Sequence, residues 1–79
     1  MTLEDIFAII VGHTRDVLPG LDDHAFKPSD SLRELGANSI DRSEIVMLTL
    51  ESLSLKIPMI DVAKAENMGE LATLLHARL

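Results

Sequence analysis

The chain has 79 residues, and its 13 acidic and seven basic side chains give a formal net charge of −6. This balance argues against nucleic acid as a partner, because phosphate backbones are bound by Lys and Arg, and it favours proteins with basic surfaces. Its length predicts one domain, residues 1–79, and the absence of cysteine means that no disulfide stabilises it. The N-terminus is acidic where a signal peptide is basic, and no apolar run comes near the ~20 residues that span a bilayer, so a cytoplasmic location is predicted.

The first predicted helix begins after Thr2 and ends before Pro19-Gly20, a pair that stops helices. Thr2 and Asp5 resemble a capping box, in which each side chain bonds the backbone N–H of the other residue. Gly12 lies inside the helix and costs about 1 kcal/mol relative to Ala. Apolar residues recur at the spacing of one buried helical face, namely Leu3, Ile6, Phe7, Ile10, Val11, Val17 and Leu18.

A long connection, residues 19–38, follows the first helix and is rich in residues that form turns and caps. Within it, the segment 31–36 is predicted to form a short helical turn closed by Gly36 in the left-handed conformation. Phe26, Leu32 and Leu35 are predicted to anchor this connection in the core.

The second helix is predicted to cover Ser39 to Leu53, since Asn38 and Ser39 both suit the N-cap position. Pro58 prevents any continuation of this helix. Its predicted buried stripe consists of Ile45, Val46, Thr49, Leu50 and Leu53.

Two further helices are predicted in the last third of the chain. A short helix covers 60–65, and a last helix starts at Asn67 with Glu70 completing a second capping box. The buried face of the last helix is predicted to be Met68, Leu71, Ala72, Leu75 and Leu79. The sequence therefore predicts an all-α fold, a small antiparallel bundle of three main helices plus one or two short ones.

Ser39 is the main candidate for chemistry, because no phosphate loop, metal-ligand cluster or catalytic constellation is recognisable elsewhere. Its hydroxyl lies at the exposed start of a helix, where a phosphodiester is favoured by the helix dipole by about 0.3–1 kcal/mol. The alternative interpretation is that Ser39 only caps the helix. No catalytic residue and no metal ligand is predicted.

The segment 30–40 resembles the signature Asp-Ser-Leu-x-x-Leu-Gly-x-Asp-Ser-Leu of acyl carrier proteins. Asp30-Ser31-Leu32, Leu35-Gly36 and Ser39 match it in residue and spacing, and the helix layout is similar along essentially the whole chain. The resemblance implies a four-helix carrier fold that catalyses nothing itself. It also implies that Ser39 receives 4′-phosphopantetheine from coenzyme A through a phosphopantetheinyl transferase.

Two departures from the signature point to a narrower group, since Asn38 replaces the usual Asp and Ile40 the usual Leu. Residues 36–45 and 53–58 resemble the free-standing donor carriers of polyketide β-branching cassettes. This resemblance implies an acetyl thioester that is donated to an enzyme similar to hydroxymethylglutaryl-CoA (HMG-CoA) synthase. A loading or decarboxylating ketosynthase-like enzyme is the further partner implied.

The second helix is predicted to provide the docking face. Asp41, Glu44 and Glu51 are expected to meet Lys or Arg on partners, although a solvated helix face explains the same acids. Ile40 and Met47 lie away from the predicted buried stripe and are expected to be exposed apolar contacts, with burial as the alternative. The full predicted docking set is Asn38, Ile40, Asp41, Arg42, Ser43, Glu44, Met47 and Glu51.

Arg42 and Ser43 flank Ser39 and are candidates for choosing between partners. A monomer is expected, because a carrier presents one helix to many enzymes in turn. Two alternatives stay open at this point. One is a generic fatty-acid, polyketide or aminoacyl carrier, and the other is a helical interaction module that carries no arm.

Overall fold

Four helical elements follow one another in the computed structural model, which describes residues 1–79. They are α1 (Leu3–Val17), α2 (Ser39–Leu53), a 3₁₀ turn (Met59–Asp61) and α3 (Met68–His76). No strand is present, so the predicted all-α fold is confirmed. None of these helices combines the length and apolar character that a bilayer crossing requires.

The start of α1 has the predicted capping box. The Thr2 hydroxyl accepts the Asp5 N–H at 3.1 Å, and the Asp5 carboxylate accepts the Thr2 N–H at 3.0 Å. Leu3 was predicted to be buried but is exposed, because it lies in the first turn, beyond the core. Thr14 is buried instead, and its hydroxyl is satisfied by the Ile10 carbonyl at 2.7 Å.

The connection between α1 and α2 packs on the core at the predicted places. Leu32 is buried, and Phe26 and Leu35 are partly buried against the core. The turn at 31–36 closes with Gly36 at a φ of 106°, in the left-handed region that glycine adopts without strain. The Ala37 N–H then bonds the Leu32 carbonyl at 3.0 Å. The predicted turn is thereby confirmed.

Helix α1 forms the centre of the fold, because its backbone lies close to both α2 and α3, whereas no Cα atom of α2 lies within 8 Å of one in α3. Apolar side chains from every part of the chain meet there. The buried core consists of Ile6, Ile10, Leu32, Ala37, Ile45, Leu50, Leu53, Val62, Met68, Leu71, Ala72 and Leu75. The separation of α2 from α3 leaves room between them for a groove.

Three predictions for the C-terminal third were wrong in detail. The helix predicted at 60–65 is only the 3₁₀ turn followed by hydrogen-bonded turns. Glu70 does not complete a capping box on Asn67, because its carboxylate accepts the N–H of Glu66 at 3.2 Å instead. Leu79 is exposed, because α3 ends at His76.

The long connection is fixed to the start of α3 by two backbone hydrogen bonds. The Met68 N–H bonds the Asp30 carbonyl at 2.9 Å, and the Gly69 N–H bonds the Pro28 carbonyl at 2.8 Å. The two segments approach so closely that a Cβ on Gly69 would lie 2.8 Å from the Pro28 Cβ. This contact fixes the end of α3 that borders the groove.

Candidate functional site

Ser39 is the first residue of α2, and its hydroxyl is exposed and makes no hydrogen bond within the protein. The N-cap is Asn38, whose side-chain oxygen accepts the Asp41 N–H at 2.8 Å. The Asp41 carboxylate accepts the Asn38 N–H at 3.3 Å and completes a capping box. Capping is therefore done by Asn38 and Asp41, and the interpretation of Ser39 as the cap is wrong.

One face of α2 opens onto a groove of about 900 Å³. Ser39, Arg42, Ser43 and Val46 line it, at the i, i+3, i+4 and i+7 spacing of a single helical face. The opposite wall is formed by the segment 59–67 and by the first turn of α3, including Met68 and Leu71. A group attached to Ser39 therefore starts at the edge of this groove.

The groove carries more positive than negative side chains, although the whole chain is acidic. Arg33, Arg42 and Lys64 line it, and Glu66 is the one carboxylate among the lining residues. The Arg42 guanidinium donates one hydrogen bond, 2.8 Å long, to the Ala37 carbonyl, which holds it beside the start of α2. The surroundings of Ser39 thus favour a negatively charged group.

A second face of α2 points into solvent. Ile40 and Met47 are 75% and 53% exposed, and Glu44 and Glu51 are exposed beside them. Their i, i+4, i+7 and i+11 spacing places all four on one stripe, which we call the docking stripe. The predicted exposure of Ile40 and Met47 is confirmed, and their docking role stays a prediction.

The remaining predicted site residues fall into two groups. Asn38 and Asp41 are engaged in the helix cap, whereas Arg42 and Ser43 belong to the groove wall rather than to the docking stripe. Sequence reasoning did not identify Arg33 and Lys64 as lining the same groove as Ser39. They lie on different segments, and no spacing signal in the sequence indicates that those segments meet across a groove.

The residues around Ser39 fit a group joined through a phosphodiester. The hydroxyl is free and exposed, α2 has 15 residues and its N-terminus is the positive end of the helix dipole. Arginine and lysine side chains on the groove wall suit the same negative charge. Attachment there would leave the cap hydrogen bonds between Asn38 and Asp41 intact.

Comparison with known proteins gives a consistent result. The model of the family described as "Phosphopantetheine attachment site" matches residues 10–75. The polyketide biosynthesis acyl-carrier-protein AcpK of Bacillus subtilis (strain 168) is 47% identical over 79 residues, covering 100% of this chain and 96% of AcpK.

Among solved structures, this chain is similar to a chain in the crystal structure of the curacin biosynthetic pathway HMG synthase in complex with acetyl donor-ACP. The TM-score is 0.94 at 47% sequence identity, and the match covers 98% of this chain and 99% of that chain.

Proposed function

The chain belongs to the family of proteins with a phosphopantetheine attachment site, and from that premise we propose that it is the acetyl-donor carrier of a polyketide β-branching system. It carries a covalently attached 4′-phosphopantetheine arm and is a substrate of other enzymes, not a catalyst. The proposal places the arm on Ser39, treats residues 1–79 as one carrier domain, and makes an HMG-CoA-synthase-like enzyme the acceptor of the acetyl unit.

The free Ser39 hydroxyl is the observation that carries this proposal. An exposed hydroxyl without an internal hydrogen bond is accessible to a transferase, and it loses no structural contact when it is esterified. Ser39 Oγ would form a new P–O bond to the phosphorus that carries the pantetheine of coenzyme A, while the pyrophosphate P–O bond breaks and adenosine 3′,5′-bisphosphate leaves. The hydroxyl proton passes to a base of the transferase. Once attached, the arm supplies a terminal thiol that holds the acyl group as a thioester.

The acetyl-donor role is supported by the structural likeness. A chain of 79 residues covers 99% of the matched chain, so that chain is itself small and is the donor carrier of the complex rather than the synthase. The 47% identity of AcpK, a polyketide carrier, along this whole chain supports the same class of pathway.

The docking stripe of Ile40, Glu44, Met47 and Glu51 is the proposed contact for partner enzymes. Its mixture of exposed apolar and acidic side chains suits brief docking on a basic surface, because polar contacts speed association without requiring a large apolar interface. We assign three partners to it, namely a phosphopantetheinyl transferase, a loading or decarboxylating ketosynthase-like enzyme, and the HMG-CoA-synthase-like acceptor. A monomer in the cytoplasm is the state that fits these exchanges.

The attachment site is tested by intact-mass measurement after incubation with coenzyme A and a transferase of broad specificity. We expect the wild-type protein to gain the mass of one phosphopantetheine, and Ser39→Ala to gain nothing, because the esterified oxygen is absent. Ser29→Ala is the matched control, since this exposed serine lies outside the groove and outside the predicted docking set and should leave the mass gain unchanged. An equal gain in Ser39→Ala would refute the site.

The donor role is tested by offering the acetylated protein to an HMG-CoA-synthase-like enzyme and to a fatty-acid ketosynthase. We expect the acetyl group to be lost only in the presence of the first enzyme and a β-ketoacyl carrier. Intact-mass measurement detects this loss. Turnover with the ketosynthase alone would instead identify a generic carrier.

A further inference from the structure

Arg33, Arg42 and Lys64 line the groove that Ser39 borders, and none of them takes part in an ion pair; we call these three residues the basic rim. They account for three of the seven Lys and Arg residues in a chain of net charge −6. An even distribution would place about one or two of the seven among the 17 residues that line the groove.

The basic rim is not neutralised within the protein. The ion pairs of the structure are His13–Asp16, His24–Asp30 and Arg78–Asp61, and none of them involves the rim. A guanidinium has five N–H donors, and Arg42 uses one of them on the Ala37 carbonyl. Donors and charge thus remain available for a negatively charged ligand.

The position of Arg42 relative to Ser39 indicates which negatively charged group the basic rim would bind. Residues at i and i+3 of a helix have Cβ atoms about 5–6 Å apart, so an arginine at this spacing reaches an oxygen bonded to the Ser39 phosphorus. Arg42 and Ser39 line the same groove, and Lys64 lies in its opposite wall. The two cations therefore flank the place where the first atoms of an attached arm must lie.

We propose that Arg42 and Lys64, with Arg33 beside them, form a binding site for the phosphodiester at the root of the arm. Charge-assisted hydrogen bonds from arginine and lysine to phosphate oxygens are among the stronger polar contacts in proteins. They direct the first bonds of the arm along the groove instead of into solvent. Arg42 and Lys64 act as positioning residues, and the inference rests on the proposed attachment at Ser39.

Phosphorus NMR of the arm-bearing protein tests this site, because the attached phosphodiester is the only phosphorus in the molecule. We expect its resonance in the folded protein to differ from that in the urea-unfolded protein. Arg42→Gln and Lys64→Gln should each move it at least about halfway back to the unfolded value, since each removes a charge-assisted contact. High salt should move it in the same direction, because the groove is open to solvent.

Lys56→Gln is the matched control, because it removes the same charge from an exposed lysine outside the groove. Arg42→Lys keeps the charge but loses the planar fork, so a partial shift is expected. The side-chain Nε–H signal of Arg42 should also move between the unmodified and the arm-bearing protein, a change that a purely structural role would not produce. Lys64 is exposed and forms no ion pair within the protein, so its variant stays informative even if Arg42→Gln disturbs folding.

Two results would overturn the inference. If Arg42→Gln and Lys64→Gln keep the wild-type phosphorus resonance, or if Lys56→Gln shifts it equally, the basic rim does not bind the phosphodiester. Either result leaves attachment at Ser39 intact. Failure of Ser39 to gain mass would instead refute the proposed function, and this inference with it.

Discussion

The carboxylate of Asp30 joins three parts of the connection that precedes α2. It accepts the Lys27 N–H at 2.8 Å, and the His24 Nε2 donates to it at 2.9 Å. The backbone hydrogen bond from Lys27, followed by the bond from His24, holds the pKa of Asp30 below its ordinary value of 3.8. The Asp30 carbonyl also bonds the Met68 N–H, so this residue helps to fix the connection to α3.

Replacement of Asp30 by Asn should show how the charge of this carboxylate affects the stability of the fold. The pKa of Asp30 is lower in the folded than in the unfolded chain, so the charged carboxylate stabilises the fold at pH values above its ordinary pKa. This stabilisation is lost as the pH falls through the pKa of Asp30 in the folded protein. We therefore expect Asp30→Asn to be less stable than wild type at neutral pH, with the difference closing below about pH 4.

Urea unfolding followed by far-UV circular dichroism measures this difference across pH. The chain has no Trp or Tyr, so fluorescence is not an option. Asp23→Asn, at an exposed aspartate without a hydrogen bond, is the matched control and should stay near wild type throughout. A stability loss in Asp30→Asn that is independent of pH would show that the charge of the carboxylate contributes nothing.

At the scale of elements, the close contact between the long connection and α3 depends on the absence of one side chain. A Cβ on Gly69 would lie 2.8 Å from the Pro28 Cβ and 3.0 Å from the Pro28 carbonyl oxygen. We expect Gly69→Ala to destabilise the protein by about 1–3 kcal/mol, because the added methyl forces the two segments apart.

Gly12 provides the opposite case within the same fold. It lies in the middle of α1, and a Cβ there would meet nothing within 4 Å. Gly12→Ala should therefore stabilise the protein by about 0.5–1 kcal/mol, through the better helix propensity of alanine. Denaturant midpoints of the two variants check both signs, and equal shifts in one direction would contradict the contact at Pro28.

Predictability from sequence differed between these elements for physical reasons. The bounds of α1 and α2 were predicted because apolar periodicity, cap residues and prolines all indicated the same ends. The segment 60–65 was predicted to be helical from its composition, but a helix so short does not recover its nucleation cost, and only the 3₁₀ turn forms. The position of the Glu70 carboxylate depends on local geometry that the cap spacing alone does not determine.

The candidate site was predictable only in part for a related reason. Ser39 was found because its signature is local, whereas tertiary structure brings Arg33 and Lys64 into the wall of the same groove. The docking stripe was predictable to an intermediate degree. Helical spacing placed Ile40 and Met47 away from the predicted buried stripe, and the structure then showed that nothing covers them.

At the scale of the whole molecule, the separation of charge is the main electrostatic feature. The basic rim lies in the groove, while Glu44 and Glu51 are on the docking stripe and most other surface charge is acidic. If the proposed docking role is right, we expect a basic partner to be attracted to the stripe and its association to weaken with salt.

Neutralising the stripe tests this directly. We expect Glu44→Gln with Glu51→Gln to slow acetyl delivery several-fold at low ionic strength, and the difference from wild type to shrink at high salt. Glu4→Gln with Asp23→Asn removes equal charge from surfaces outside α2 and should have a smaller effect. Similar delivery rates for the two double variants would mean that net charge alone attracts the partner.

Asn38 caps α2 while the neighbouring Ser39 hydroxyl stays free, and this has a consequence for how the protein is used. Because the helix start is completed by Asn38 and Asp41, the adjoining hydroxyl has no part in holding the fold together. Under the proposed attachment at Ser39, the arm is added without breaking a hydrogen bond that holds the start of α2. In such a carrier the fold stays the same through repeated use, because only the exposed Ser39 oxygen would change its bonds.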